Sequence, residues 1–220
     1  MKFDNGLIIF IHIPSTSGTY IEANLCKKFN IPNNADEWPK VNENALSGLK
    51  KINKNHYLNL THLTLSEMIK FNYINEQNNQ YIFTIIRNPY DRVFSLYNRW
   101  FKDYYNSLDL FLDKLIDIDL NNYNHNGIIN TDDNFNYLNM VSYIDNITYF
   151  LIPQYYYIVN NYDNIYNVDI IKYEDIEILN EKLNLNLKFQ KKNNNNLTFE
   201  QKQKIYKIYN IDFIKFNFNF

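Results

Sequence analysis

The chain has 220 residues, 45% of them hydrophobic and 21% charged, which suits one ordinary globular domain spanning 1–220 and excludes wholesale disorder. A formal net charge of −2 supplies no basic field for general nucleic-acid binding, yet leaves room for a small anion held by a few local groups. The single cysteine, Cys26, cannot close an internal disulfide, so nothing points to an oxidising compartment.

The first apolar run, Leu7 to Ile13, is β-branched and aromatic with little alternation, the pattern of a strand buried on both faces of a parallel sheet. Seven residues ending at Pro14 are too few to span a bilayer. With no leader visible, the expectation is a chain without a membrane span, cytoplasmic by default. Pro14-Ser15-Thr16-Ser17-Gly18-Thr19 breaks the strand, and Tyr20 to Phe29 resumes with helical spacing. A short helix is predicted near Ala45 to Ile52 and a short strand over His56 to Leu60. Thr64 to Phe71 reads as a capped helix, with Glu67 three residues after Thr64.

Tyr81 to Ile86 is the next strong strand, and it ends at Arg87-Asn88-Pro89. Asn88 suits a helix cap and Pro89 the first helical position. Further helices are predicted over Leu108 to Ile118 and around Tyr137 to Ile144, with a long loop from Asn121 to Phe135 between them. The stretch Tyr149 to Val159 has no clear period. Val168 to Tyr173 is a third sheet strand, and helices follow from Asp175 to Leu183 and from Thr198 to Tyr209. Strands alternating with helices predict an α/β fold with a central parallel sheet flanked by helices on both faces.

Two segments carry the candidate chemistry. A strand that enters a Ser/Thr/Gly loop and then a helix presents free backbone N–H groups and the positive end of a helix dipole, which is how a phosphate is held. Gly18 allows close backbone approach, and Thr16, Ser17 and Thr19 bring hydroxyls. The same loop also reads as an ordinary strand-to-helix turn. It is not a Walker A loop, because no Gly-Lys-Ser/Thr follows, which speaks against an ATP-dependent kinase. In the second segment Arg87 ends a strand and Ser95 stands two turns into the next helix. In a parallel sheet such strand ends share one edge with the first loop. Arg87 then brings a planar fork for two phosphate oxygens, or it pairs with Asp91 and Ser95 is filler.

Taken together, Ile11 to Thr19 resembles the 5′-phosphosulfate loop of sulfotransferases, and Ile86-Arg87-Asn88-Pro89-Tyr90-Asp91-Arg92-Val93-Phe94-Ser95 resembles their 3′-phosphate motif. Thr61-His62-Leu63 sits where the uronyl and heparan 2-O branch carries Gly-His-Val. Ile152-Pro153-Gln154, Ile171 to Asp175 and Tyr209 to Phe213 resemble later segments of the carbohydrate-modifying members. The resemblance implies a P-loop NTPase-like three-layer fold. It also implies transfer of a sulfuryl group from 3′-phosphoadenosine 5′-phosphosulfate (PAPS) to a hydroxyl-bearing acceptor, a glycan in that branch, with no metal. Residues 15–19 would hold the 5′ end, Arg87 and Ser95 the 3′-phosphate, and His62 would be the catalytic base; otherwise His62 is a loop or edge histidine with no role. His12, within the apolar strand, reads as a hydrogen-bonded core residue. His56, His125 and Cys26 lack zinc spacing.

One departure stands out. The family places a lysine where this chain has Ser15, and losing a preorganised cation of that kind costs on the order of 10²–10³ in rate. Lys27, Lys28 and Arg92 are the replacements the sequence offers. The alternative is a nucleotide-binding pseudoenzyme or interaction protein without efficient turnover. The acceptor pocket would be shaped by Asn30 to Asn55 and Asn121 to Asn160, which name no particular acceptor.

Overall fold

A computed structural model describes residues 1–32, 41–42, 44–53, 56–74, 79–118, 120, 128–130, 150–159, 167–188 and 196–220. In chain order the strands are β1 (Lys2–Phe3), β2 (Ile8–Ile11), β3 (Leu49–Asn53), β4 (His56–Asn59), β5 (Tyr81–Ile86), β6 (Ile128–Asn130) and β7 (Val168–Lys172). The helices are α1 (Gly18–Lys28), α2 (Leu65–Lys70), α3 (Pro89–Leu96), α4 (Leu108–Ile116), α5 (Glu177–Leu183) and α6 (Phe199–Lys215). A π-helical turn, Tyr97–Phe101, continues α3, and a 3-10 turn, Gln154–Tyr157, lies between β6 and β7.

The central sheet has the order β1-β2-β5-β7. β2, β5 and β7 run parallel, with Ile11 opposite Thr84 and Ile86 opposite Lys172, while β1 is an antiparallel edge. Alternation within the strands splits the core into two faces. Ile8, Phe10, Phe83, Ile85 and Ile171 pack against Ile21 and Leu25 of α1 and Leu179 and Leu183 of α5. Ile9, Ile11, Ile82 and Ile86 pack instead against Met68 of α2, Tyr155 and Tyr157 of the 3-10 turn, and Phe216. Both faces are therefore covered, which is why these strands are continuously apolar; each buried Ile or Phe is worth about 1.5–3 kcal/mol. A third cluster joins α3, the π turn, α4 and α6 through Val93, Leu96, Phe101, Phe111, Leu112, Ile205 and Phe213.

Local signals explain the helix starts. Thr64 and Glu67 form a reciprocal capping box at α2, as do Thr198 and Gln201 at α6, and Asn88 caps α3 with Pro89 in its first turn. The expected helix near Ala45 to Ile52 is corrected: Leu49–Asn53 is a strand. Leu46 and Gly48 take positive φ of 54° and 91°, which no helix tolerates, and antiparallel pairing of β3 with β4 outweighs helix propensity. With β6 these strands make a separate three-stranded antiparallel sheet. β6 falls within the stretch expected as loop from Asn121 to Phe135, whose remainder lies outside the described residues, as do the helix expected around Tyr137 to Ile144 and His125. The final helix runs to Lys215, past the expected end at Tyr209, where the backbone leaves helical geometry at φ −114° and ψ 25°. No helix of the described residues is long and apolar enough to cross a membrane.

Candidate functional site

Because β2, β5 and β7 are parallel, their carboxyl ends open on one edge, where ligands of α/β sheets bind. Ser15 and Ser17, in the turn after β2, take the left-handed conformation, at φ 65° and 71°. Left-handed backbone at a non-glycine residue costs about 1–2 kcal/mol, and strain of this sort concentrates where a ligand is held. Left-handed residues in such a turn are a backbone pattern found in anion-binding nests, and Ser15 and Ser17 place two of them directly ahead of α1.

The side chains of the turn divide the work. Thr16 is fully buried, and its hydroxyl donates to the Ile13 carbonyl at 2.8 Å; its one proton shapes the turn rather than facing outward. Ser15 Oγ is buried and has no hydrogen-bond partner among the described residues. Thr19, in the first turn of α1, is exposed, and Ser17 precedes it as the cap without a side-chain capping bond. Beside the expected approach of a ligand, Gly18 has a packing reason. A Cβ there would lie 1.9 Å from Cδ2 of His12, so the imidazole fills the space a side chain would need. Gly18→Ala is expected to displace His12 and cost about 1–3 kcal/mol, read as a lowered Tm in a thermal melt; an unchanged Tm would show that the ring yields freely.

His12 lies just past β2 and is buried. Its Nδ1 has no hydrogen-bond partner among the described residues, which corrects the expectation of a hydrogen-bonded core histidine. Burial first, then the neighbouring His62, the chain amine and Arg99, hold its pKa well below the usual histidine value, so the ring is neutral. Its carbonyl accepts a hydrogen bond from Nδ1–H of His62 at 2.8 Å. Since a carbonyl can only accept, the proton of neutral His62 sits on Nδ1 and the lone pair on Nε2. The two rings are 4.4 Å apart, and Phe150 meets His62 edge-on at 5.0 Å.

Arg87 reaches the same turn. Its Nη1 donates to the Ser15 carbonyl at 3.3 Å, its guanidinium lies 5.0 Å from the Tyr173 ring centroid beyond β7, and its Nε is buried without a partner among the described residues. The guanidinium thus sits between the ends of β2 and β7. Ser95 is half-buried in α3, one turn beyond Asp91. It shares a helix face with Arg92, which is turned toward the loop.

Three fully buried residues, Arg92, Gln154 and Asp212, build the support. Arg92 is fully buried and donates to the carbonyls of Pro14, Ile152 and Phe150 at 3.1, 3.0 and 2.9 Å. The amide of Gln154 clamps the main chain of Arg87, accepting from its N–H and donating to its carbonyl, both at 2.8 Å. Buried Asp212 accepts from the N–H groups of Gln154 and Tyr155, each at 2.9 Å. Burial raises the Asp212 pKa, while the nearby Arg92 charge and these N–H groups pull it down. Gln154 and Asp212 lie in the segments that carry the resemblance, and that placement was their only signal in the sequence.

The cations offered in place of a loop lysine are not available for that role. Lys27 and Lys28 occupy the last turn of α1, roughly 14 Å from its start at 1.5 Å per residue, and Lys28 Nζ donates to the Leu183 carbonyl. Arg92 is committed to its three carbonyls. No group of three or more His, Cys, Asp or Glu among the described residues is arranged to hold a metal ion. In comparisons with known proteins, the model of the family described as "Sulfotransferase family" matches residues 3–196. No curated protein and no solved structure matches the chain.

Proposed function

The chain belongs to the sulfotransferase family, and from that premise we propose that it moves a sulfuryl group from PAPS to a hydroxyl, with residues 1–220 acting as one domain of P-loop NTPase-like arrangement. One observation carries the reading. Of the buried side-chain polar atoms without a partner among the described residues, His12 Nδ1, Ser15 Oγ and Arg87 Nε all belong to this one edge of the sheet. An unsatisfied buried polar atom costs about 1–3 kcal/mol, so a cluster of them beside an anion nest suits a bound polar ligand.

In this reading the head of α1 with residues 15–19 receives the 5′-phosphosulfate, Arg87 and Ser95 receive the 3′-phosphate, and His62 Nε2 takes the acceptor proton. As the new S–O bond forms, the S–O bond to the 5′-phosphate breaks and its electron pair stays on the phosphate oxygen. Such a transfer depends on positioning and charge stabilisation. The acceptor is proposed to be a carbohydrate hydroxyl, after the branch that the Thr61-His62-Leu63 and Ile152-Pro153-Gln154 segments resemble.

The product nucleotide tests the reading. At about 100 times its Kd, 3′,5′-bisphosphoadenosine is expected to raise the Tm by about 5–10 °C, and Arg87→Ala to remove most of that shift. Equal melts with and without the nucleotide would sink the assignment. A second reading, nucleotide binding without efficient turnover, rests on the absence of any charged side chain from Pro14 to Thr19. It is separated by incubation with labelled donor and a panel of sugars: binding without transfer to any of them selects it.

A further inference from the structure

The turn at the head of α1 offers hydroxyls and N–H groups but no positive side chain. The 5′ group gains negative charge as the S–O bond breaks, and preorganised charge aimed at that point is what lowers the barrier. Lys27 and Lys28 stand at the far end of α1, Arg92 is enclosed, and Arg87, which donates to the Ser15 carbonyl and lies on the Tyr173 ring, is assigned to the 3′-phosphate in that reading.

Resting on the reading above, the geometry points to Arg99 as the cation that serves the 5′ group. Arg99 lies in the π-helical turn Tyr97–Phe101, closed by the bond from the Lys102 N–H to the Tyr97 carbonyl. A π turn widens the helix by one residue and re-aims the side chains that follow, a device frequent at functional sites. The Arg99 guanidinium lies 5.1 Å from the Trp100 ring centroid. That indole stacks on Phe150 at 6.1 Å and 24°, and Phe150 packs on His62 at 5.0 Å. His62 touches His12, whose ring covers Gly18 at the first residue of α1. Arg99 is thus held on an aromatic wall that ends at the anion nest. Behind burial, His62 and the chain amine, the Arg99 charge is also among the causes that hold the His12 pKa down. Arg99 is itself exposed, so it can swing on the indole to meet a ligand without first breaking a buried bond.

A comparison of two nucleotides isolates the effect. Affinities of 3′,5′-bisphosphoadenosine and adenosine 3′-monophosphate, measured by calorimetry, differ only through the 5′-phosphate. Arg99→Gln is expected to reduce the preference for the bisphosphate about tenfold, the size of one charged hydrogen bond, and to leave monophosphate affinity unchanged. Arg99→Lys, which keeps the charge, is expected to retain most of the preference. An unchanged preference in Arg99→Gln, an equal loss of both ligands, or a lysine variant as poor as glutamine overturns the assignment of Arg99 alone. Failure of the unaltered protein to bind either nucleotide overturns the sulfotransferase site reading, and this inference with it.

Discussion

His62→Ala is expected to lower kcat for sulfuryl transfer by on the order of 10²–10⁴, the usual worth of a positioned general base, with bisphosphoadenosine affinity unchanged within about twofold. The bond from Nδ1–H to the His12 carbonyl locks one tautomer and leaves the lone pair on Nε2. The ring is packed between His12 and Phe150, so its direction is preset and little entropy is lost on reaction. Removing the imidazole takes away the proton acceptor but none of the groups that hold the nucleotide. A variant that keeps full kcat would remove His62 from the chemistry. One that loses nucleotide affinity instead would assign it to the architecture of the turn.

Arg92→Met is expected to cost about 3–5 kcal/mol of folding stability, the range for breaking a buried charged network. Typical domains have only about 5–15 kcal/mol in total. The guanidinium holds three carbonyls that come from both sides of the site, Pro14 before the turn and Phe150 and Ile152 across from it. Without it these carbonyls lose their donor, and buried Asp212 loses its compensating charge. Arg92→Lys is expected to recover little, because an ammonium cannot reproduce the planar fork that spans three acceptors. Urea unfolding measures the loss as a fall in midpoint at constant m-value. A fall equivalent to less than about 1 kcal/mol would show that water replaces the lost donors.

The strands β2, β5 and β7 and the starts of α2, α3 and α6 are legible in the sequence. A β-branched run, a Thr-x-x-Glu box or an Asn-Pro step acts through contacts within about four residues. The turn and Arg87 were legible as candidates for the same reason, each marked by a strand ending in special residues. β3 is not legible in the sequence, because its pairing with β4 is decided by the partner strand. The packing reason for Gly18 is not legible, because nothing near it in sequence shows that the His12 ring occupies its open side.

What the amino-acid order settled alone was the alternation of strands and helices, the buried character of the sheet, and a hydroxyl-rich turn facing an arginine, all consequences of local propensity and period. Folding in three dimensions decided how those parts become a site. The amide of Gln154 grips Arg87 across 67 positions, Asp212 grips Gln154 across 58, and His62 reaches the His12 carbonyl across 50. Such bonds leave no periodic trace in the chain, because their geometry depends on which strands lie side by side and which helix closes over them.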